Sequence, residues 1–253
     1  MASRTIVPFG PQHPVLPEPL QLKLVLEDET VVEAIPTLGY VHRGLEKGAQ
    51  VNDFEQNIFL MERVCGICSF IHAWIYCASV ESIAGIAVSE RAQYLRLIYA
   101  ELSRIHSHLL WLGLYADAFG LESMFMQFWR IREKVLDLQE AGTGNRVIMS
   151  ACTIGGMRRD IDDDLKRFFL ASLKEVRKEY ERMLPALLND YTVKKRTVGI
   201  GIISADDAQL LGAVGPVLRA SGIADDARLH SLGPYKELGF APIVERNGDC
   251  YSR

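Results

Sequence analysis

The sequence has little that would carry it out of the cell, across a membrane or onto a nucleic acid. Met1-Ala2-Ser3-Arg4-Thr5 lacks the apolar core and small-residue cleavage site of a secretory signal, so the chain is expected in the cytoplasm. There is no basic excess: 28 Lys and Arg stand against 32 Asp and Glu, spread along the chain for a net charge of −4. A phosphate backbone therefore finds no footprint, and no nucleic-acid partner is expected. No clean apolar run reaches the roughly 20 residues of a membrane span. The most apolar stretch, residues 70–88, carries His72 and Glu81 and reads as a buried core helix, leaving no transmembrane segment. Internal repeats, low-complexity tracts and clear linkers are missing too. The five cysteines are an odd number in a chain without an export signal, which disfavours a disulfide framework. What is present, 253 residues of which 49% are hydrophobic, fits one large domain with a full core or two small ones.

Two periodicities divide the chain. Leu20, Leu22, Leu24 and Leu26 recur every second residue, Glu27-Asp28-Glu29 supplies a turn and Val31-Val32 resumes the apolar run, the pattern of a β-hairpin within about residues 15–38. From about residue 45 to 190 the period becomes 3.6. Ser89 is a suitable N-cap for a helix running to about Ala118, with Leu95, Ile98, Leu102, Ile105, Leu109 and Leu112 on one face. Asp160 is expected to cap a further long helix that Pro185 kinks or ends. The charge pairs between Lys174 and Arg182 read as a solvated face. Residues 191–253 look short and mixed: a strand or extended loop at 198–203, a capping box at Ser204-x-x-Asp207, and a strand at 240–245 before the Asn247-Gly248 turn. The fold class is thus α+β, mainly α, with an N-terminal hairpin or small sheet packed on a bundle of long helices, in a single domain.

Cys65-Gly66-Ile67-Cys68 is the sharpest local signal, since two thiolates two residues apart on a turn can converge on one metal ion. A redox dithiol has the same spacing but belongs after a strand, and residues 51–63 look helical; inert core thiols are the third possibility. His72, four residues past Cys68, faces back toward the cysteines if a helix starts near Ser69. There it would be a ligand, a hydrogen-bond donor to sulfur or a satisfied core histidine, and a donor best balances buried thiolate charge. Cys77, Cys152 and Cys250 are scattered singly. His106 and His108 lie two apart on different faces of their helix, at least one of them plain core or surface.

Glu62-Arg63-Val64-Cys65-Gly66-Ile67-Cys68-Ser69, followed by Ile71-His72-Ala73, resembles the N-terminal metal-binding motif of nickel-iron hydrogenase large subunits. Gly10-Pro11-Gln12-His13-Pro14, the segment from Gly39 to Glu46, Ile154-Gly155-Gly156-Met157-Arg158-Arg159-Asp160 and the segment from Gly215 to Gly222 extend the resemblance over essentially the whole chain. They point to the energy-converting, membrane-associated branch, which is similar to the 49 kDa subunit of respiratory complex I. The complex I subunit lacks the thiols and uses the equivalent cavity for quinone.

The resemblance implies a catalytic subunit that interconverts hydrogen with protons and electrons on a nickel-iron centre, with carbonyl and cyanide on the iron and four cysteine thiolates holding the metals. Cys65 would be a terminal nickel ligand and Cys68 a bridge, with Arg63 and His72 beside the centre. Glu18 matches the family's proton-passing glutamate and should be partly desolvated. His13, His42, Arg43, Glu46 and Asp160 fall in segments that line the quinone-like cavity or the small-subunit interface. Iron-sulfur clusters would lie on a small partner subunit, and membrane-embedded ion-translocating subunits would complete an assembly whose peripheral arm faces the cytoplasm. The second cysteine pair, in a D-P-C-x-x-C-like motif, has no counterpart, so the chain is expected to be C-terminally incomplete. Two alternatives stay open: a complex I-like quinone or coupling subunit without a working metal site, and a zinc-stabilised helical scaffold.

Overall fold

The computed structural model describes residues 4–14, 16, 18–230 and 232–253. Met1-Ala2-Ser3, which entered the export-signal reading, and Val15 and Pro17, at the start of the expected hairpin segment, lie outside the described residues. The chain forms two compact units, Met1–Asp53 and Phe54–Arg253.

The first unit is built on an antiparallel sheet in the order β1 (Arg4–Phe9), β2 (Gln21–Glu27), β3 (Thr30–Thr37). The expected hairpin is β2–β3, turned by Asp28 at φ 55° and Glu29. β1 is an addition: its register sets Arg4 against Glu27, and the two side chains form an ion pair at 2.7 Å. A bulge at Val25/Leu26 shifts the β2–β3 register by one residue. The loop 38–44 then leads to α1 (Leu45–Val51), and the Tyr40 hydroxyl ties that loop to Gln21 on β2 at 2.6 Å.

The second unit is helical. α2 (Gln56–Glu62) and α3 (Ser69–Ala84) flank the cysteine loop, and α4 (Glu90–Ala118), α5 (Glu122–Thr143) and α6 (Asp163–Leu188) form the body. Between α5 and α6 stands a two-residue-per-strand hairpin, β4 (Cys152–Thr153) and β5 (Gly156–Met157), and beyond α6 come α7 (Tyr191–Thr197), α8 (Ala205–Leu210) and α9 (Gly215–Ala220). Residues 70–88 contribute α3, whose Phe70, Trp74 and Cys77 are core. No helix of the described residues is long and apolar enough to cross a membrane.

Ser89 caps α4, its hydroxyl accepting from the Ala92 amide. The buried stripe of α4 is broader than the apolar spacing implies: Tyr99, Ser103 and His106 are inside with Leu95, Leu102 and Leu109, and Ile98 is exposed. A helix covered by neighbours on two sides buries more than one narrow face. α4 and α5 approach closely because glycine faces an aromatic ring at both ends of their contact. A Cβ on Gly113 would come within 2.5 Å of the Trp129 ring, and one on Gly142 within 2.2 Å of the Tyr99 hydroxyl. The apolar cluster of Phe70, Tyr99, Leu102, Phe128, Ile131, Leu138, Phe169 and Val176 joins α3, α4, α5 and α6.

Several local expectations are corrected. Asp162, not Asp160, caps α6, accepting from the Leu165 amide at 2.8 Å, because Asp160 is engaged by Arg91 at 2.7 Å. Pro185 does not end α6, which holds the proline inside the helix and runs on to Leu188. The charged stretch of α6 is not all solvated face, since Lys134 of α5 takes Glu175 at 3.0 Å and Glu179 at 2.9 Å. Residues 198–203 take the loop form of the two expected, and 240–245 form no strand. They are held by separate backbone bonds, such as the Ile203 amide to the Gly248 carbonyl at 3.0 Å and the Glu245 amide to the Arg219 carbonyl at 3.0 Å. Ser204 does cap α8, with its hydroxyl on the Asp207 amide and carboxylate.

Candidate metal centre

α2 stops at Glu62, the chain crosses an irregular loop, and α3 begins at Ser69. The loop carries Cys65 and Cys68, both half-buried, and the first turn of α3 brings His72 back over them. The three ligand atoms lie within 4.8 Å of one another, with the Cys68 sulfur 3.3 Å from His72 Nε2. Burial lowers the pKa of His72. Two thiols and an imidazole converging from a turn and a helix start are a donor set for a soft or borderline metal. They fit part of the ligand set of a nickel-iron centre, which needs two further thiolates.

Buried polar groups brace this loop. Glu62, fully buried, accepts the Ser150 amide at 2.9 Å and the Ser150 hydroxyl at 2.8 Å. Burial raises its pKa against those two hydrogen bonds and the nearby Arg63 and Arg158. At the other end, the hydroxyl of buried Ser69 donates to the Val147 carbonyl at 3.0 Å. His106 of α4 meets the loop's middle, with Nε2 2.9 Å from the Ile67 carbonyl. Desolvation takes its pKa down to about 4, so the ring is neutral near pH 7 and Nε2 must carry the proton it donates.

A second buried cluster joins α3, α4 and the β4–β5 hairpin. Arg96 of α4 grips Glu81 of α3 in a fork at 2.6 and 2.9 Å, and it also donates to the carbonyls of Thr153 and Gly156. Glu81 accepts the Gly155 amide at 2.7 Å, so the pair pins the β4–β5 hairpin to the bundle. Cys77 and Cys152, scattered in sequence, meet here as free, buried thiols sharing a hydrogen bond. That bond and burial together raise Cys152, whereas accepting it lowers Cys77.

Of the residues singled out from the sequence, Cys65, Cys68 and His72 come together. Arg63 is adjacent, but its guanidinium donates to the Phe59 carbonyl at 2.9 Å and approaches Glu62 at 3.6 Å. Asp160 is exposed and paired with Arg91. Glu18, His42, Arg43 and Glu46 are exposed residues of the first unit, so Glu18 lacks the partial desolvation expected of it, and His13 there packs on Phe9 with ring centroids 4.2 Å apart. Glu62, Ser150 and the role of His106 escaped the sequence reading. For His106 a signal existed: it stands four residues after Leu102 and three before Leu109, inside the buried stripe.

The sequence pattern of the "Respiratory-chain NADH dehydrogenase, 49 Kd subunit" family matches residues 118–253, and that of the "Nickel-dependent hydrogenase" family matches residues 43–116. This chain belongs to the complex I 49 kDa and nickel-dependent hydrogenase family. Within it, the chain is 41% identical to the alpha subunit of the membrane-bound hydrogenase of Pyrococcus furiosus, over 98% of this chain and 60% of that protein. It is 40% identical to an F(420)H(2) dehydrogenase subunit of Methanosarcina mazei, over 100% of this chain and 68% of that one. Among solved structures it resembles a chain of the membrane-bound sulfane sulfur reductase, an archaeal respiratory membrane complex, with a TM-score of 0.93 and 31% identity over 98% of this chain and 67% of that one. The chain thus spans about two thirds of the length of the family members it matches. The Pyrococcus furiosus relative is named a membrane-bound hydrogenase subunit, and the solved structure a respiratory membrane complex.

Proposed function

We propose that the chain serves as the large, catalytic subunit of an energy-converting nickel-iron hydrogenase, interconverting hydrogen with protons and electrons. The observation that carries this reading is the convergence of Cys65, Cys68 and His72 within 4.8 Å on a braced loop. Similarity to proteins named hydrogenase in Pyrococcus furiosus and Rhodospirillum rubrum supports it.

Cys65 and Cys68 would hold the nickel-iron centre, with two further thiolates completing the set. When bound, that centre supplies a redox-active electrophile for heterolytic splitting of hydrogen, with carbonyl and cyanide on the iron. The thiolates also offer sulfur bases for the released proton, and Glu18 carries it onward by exchanging it at its carboxylate. His72 donates Nε2–H toward the Cys68 sulfur, balancing thiolate charge and fixing the orientation of that side chain. Iron-sulfur clusters on a small partner subunit would take up the electrons. His13, His42, Arg43, Glu46 and Asp160 are assigned to cavity or subunit contacts, and the chain to the peripheral, cytoplasm-facing arm of a complex with membrane-embedded ion-translocating subunits. In this reading all 253 residues form one hydrogenase large-subunit-like domain.

A second reading, a quinone or coupling subunit without a working metal site, is supported by the match of residues 118–253 and by similarity to an NADH-quinone oxidoreductase subunit of Chromobacterium violaceum. Metal analysis and infrared spectroscopy of the native complex distinguish the two. Nickel together with carbonyl and cyanide bands, all lost in Cys65→Ser and Cys68→Ser, is the expected result. Quinone-linked activity that survives both substitutions in a nickel-free complex would establish the second reading instead.

A further inference from the structure

The two thiols are joined by Gly66-Ile67, and the Gly66 end of this link is open on its outer side among the described residues. Gly66 is exposed, and a Cβ added there would meet nothing within 4 Å. Glu62 and Ser69 secure the ends of the loop through Ser150 and Val147. The middle is secured from the core: the Ile67 carbonyl, between the cysteines, lies 2.9 Å from Nε2 of His106, which is 39 residues away and fully buried.

As a core residue His106 is a poor choice. It fills the position between Leu102 and Leu109 where an aliphatic side chain would pack without polar cost, and its Nδ1 finds no hydrogen-bond partner among the described residues. An unsatisfied buried ring nitrogen works against stability. The compensation is a single bond, and it goes to the carbonyl at the centre of the thiol pair.

We propose that His106 is a positioning residue for the metal-binding thiols. Its Nε2–H draws the Ile67 carbonyl toward α4 and turns the Gly66-Ile67 link, so that Cys65 and Cys68 face the same point as His72 before any metal arrives. A carbonyl oxygen can only accept, so Nε2 carries the proton and the direction of donation is unambiguous. The inference rests on the reading that Cys65 and Cys68 bind metal, and it adds the residue that sets their spacing.

The test is titration of the full, reduced chain with cobalt(II) in the absence of air, following the thiolate-to-cobalt charge-transfer band. His106→Leu keeps the volume without a donor, His106→Gln presents an amide N–H near the position of Nε2, and His106→Asn is one methylene too short to reach Ile67. Removing a group that orients a metal ligand typically weakens metal binding about 10–100-fold. The expectation is a loss of that size in His106→Leu and His106→Asn, with His106→Gln close to the unsubstituted chain. A folded His106→Leu that binds cobalt as tightly as the original, or a Gln variant as weak as the Leu variant, overturns the positioning role while leaving the metal reading intact. Should the Leu variant not fold, Gln and Asn variants of equal affinity overturn it just as well. A chain with no band, indistinguishable from Cys65→Ser and Cys68→Ser, brings down the metal reading and this inference with it.

Discussion

Ser150, in the left-handed backbone region at φ 48°, gives both its amide and its hydroxyl to one carboxylate, that of Glu62, across 88 residues of sequence. The link ties the last residue of α2 to the segment before β4, and so fixes where the cysteine loop begins.

The pH dependence of that link is testable. Burial raises the Glu62 pKa above its ordinary 4.5. A carboxyl whose folded pKa is raised contributes stability that is full below the unfolded value and is lost as pH rises through the folded one. Glu62→Gln keeps the shape and does not titrate. The advantage of the unsubstituted protein over Glu62→Gln in melting temperature should therefore shrink as pH rises above the ordinary 4.5. Parallel curves across that range would refute the raised pKa.

Two of the arginine–carboxylate pairs of α4 should behave very differently. Arg96 and Glu81 are buried, with side chains 2% and 6% exposed, so Glu81→Ala leaves an uncompensated cation inside. A loss of roughly 3–5 kcal/mol is expected on denaturant unfolding. Arg91 and Asp160 are mostly in solvent, and Arg91→Ala should have no measurable effect on the same curve.

Gly142 permits the close approach of α5 to Tyr99, whose hydroxyl has no partner among the described residues. Gly142→Ala gains helix propensity but drives a methyl group into that hydroxyl, and overpacking of this kind costs about 1–3 kcal/mol. Adding Tyr99→Phe removes the obstructing atom. The double variant should recover most of the lost melting temperature, and strictly additive losses would show that the clash is not the cause.

Glu18→Gln separates proton transfer from architecture. Stability and nickel content should hold, while proton–deuterium exchange by the native complex falls about 10²-fold to 10⁴-fold, the usual worth of a positioned acid. Glu175→Gln, at an exposed position on α6, should leave exchange unchanged. Near-normal exchange in Glu18→Gln would mean that the proton leaves by another route.

Co-expression tests the partner assignment. The polar run His42, Arg43, Glu46, Gln50, Asn52, Asp53 and Gln56 suits a subunit interface. Co-expression with an iron-sulfur partner should give a complex that co-elutes on size-exclusion chromatography, and a chain that always elutes alone would contradict that assignment.

Local chemistry was legible from the residues alone. Ser89 as a cap, the run of α4 to Ala118, the β2–β3 turn and the return of His72 over Cys68 each depend on residues within one or two turns of each other, where backbone periodicity dictates the neighbours. Which elements meet was decided only by tertiary packing. Asp160 lost its capping role to Arg91, a residue 69 positions earlier, and Glu175 and Glu179 were drawn off their helix face by Lys134 of α5. Cys77 and Cys152 read as single thiols until α3 and β4 brought them together. The sequence by itself determined the thiol pair and the helix that presents His72. Only the folded bundle decided that Glu62, Ser69 and His106 would hold the loop, because a buried polar group takes whatever partner packing delivers, and that partner's distance along the chain leaves no periodic trace.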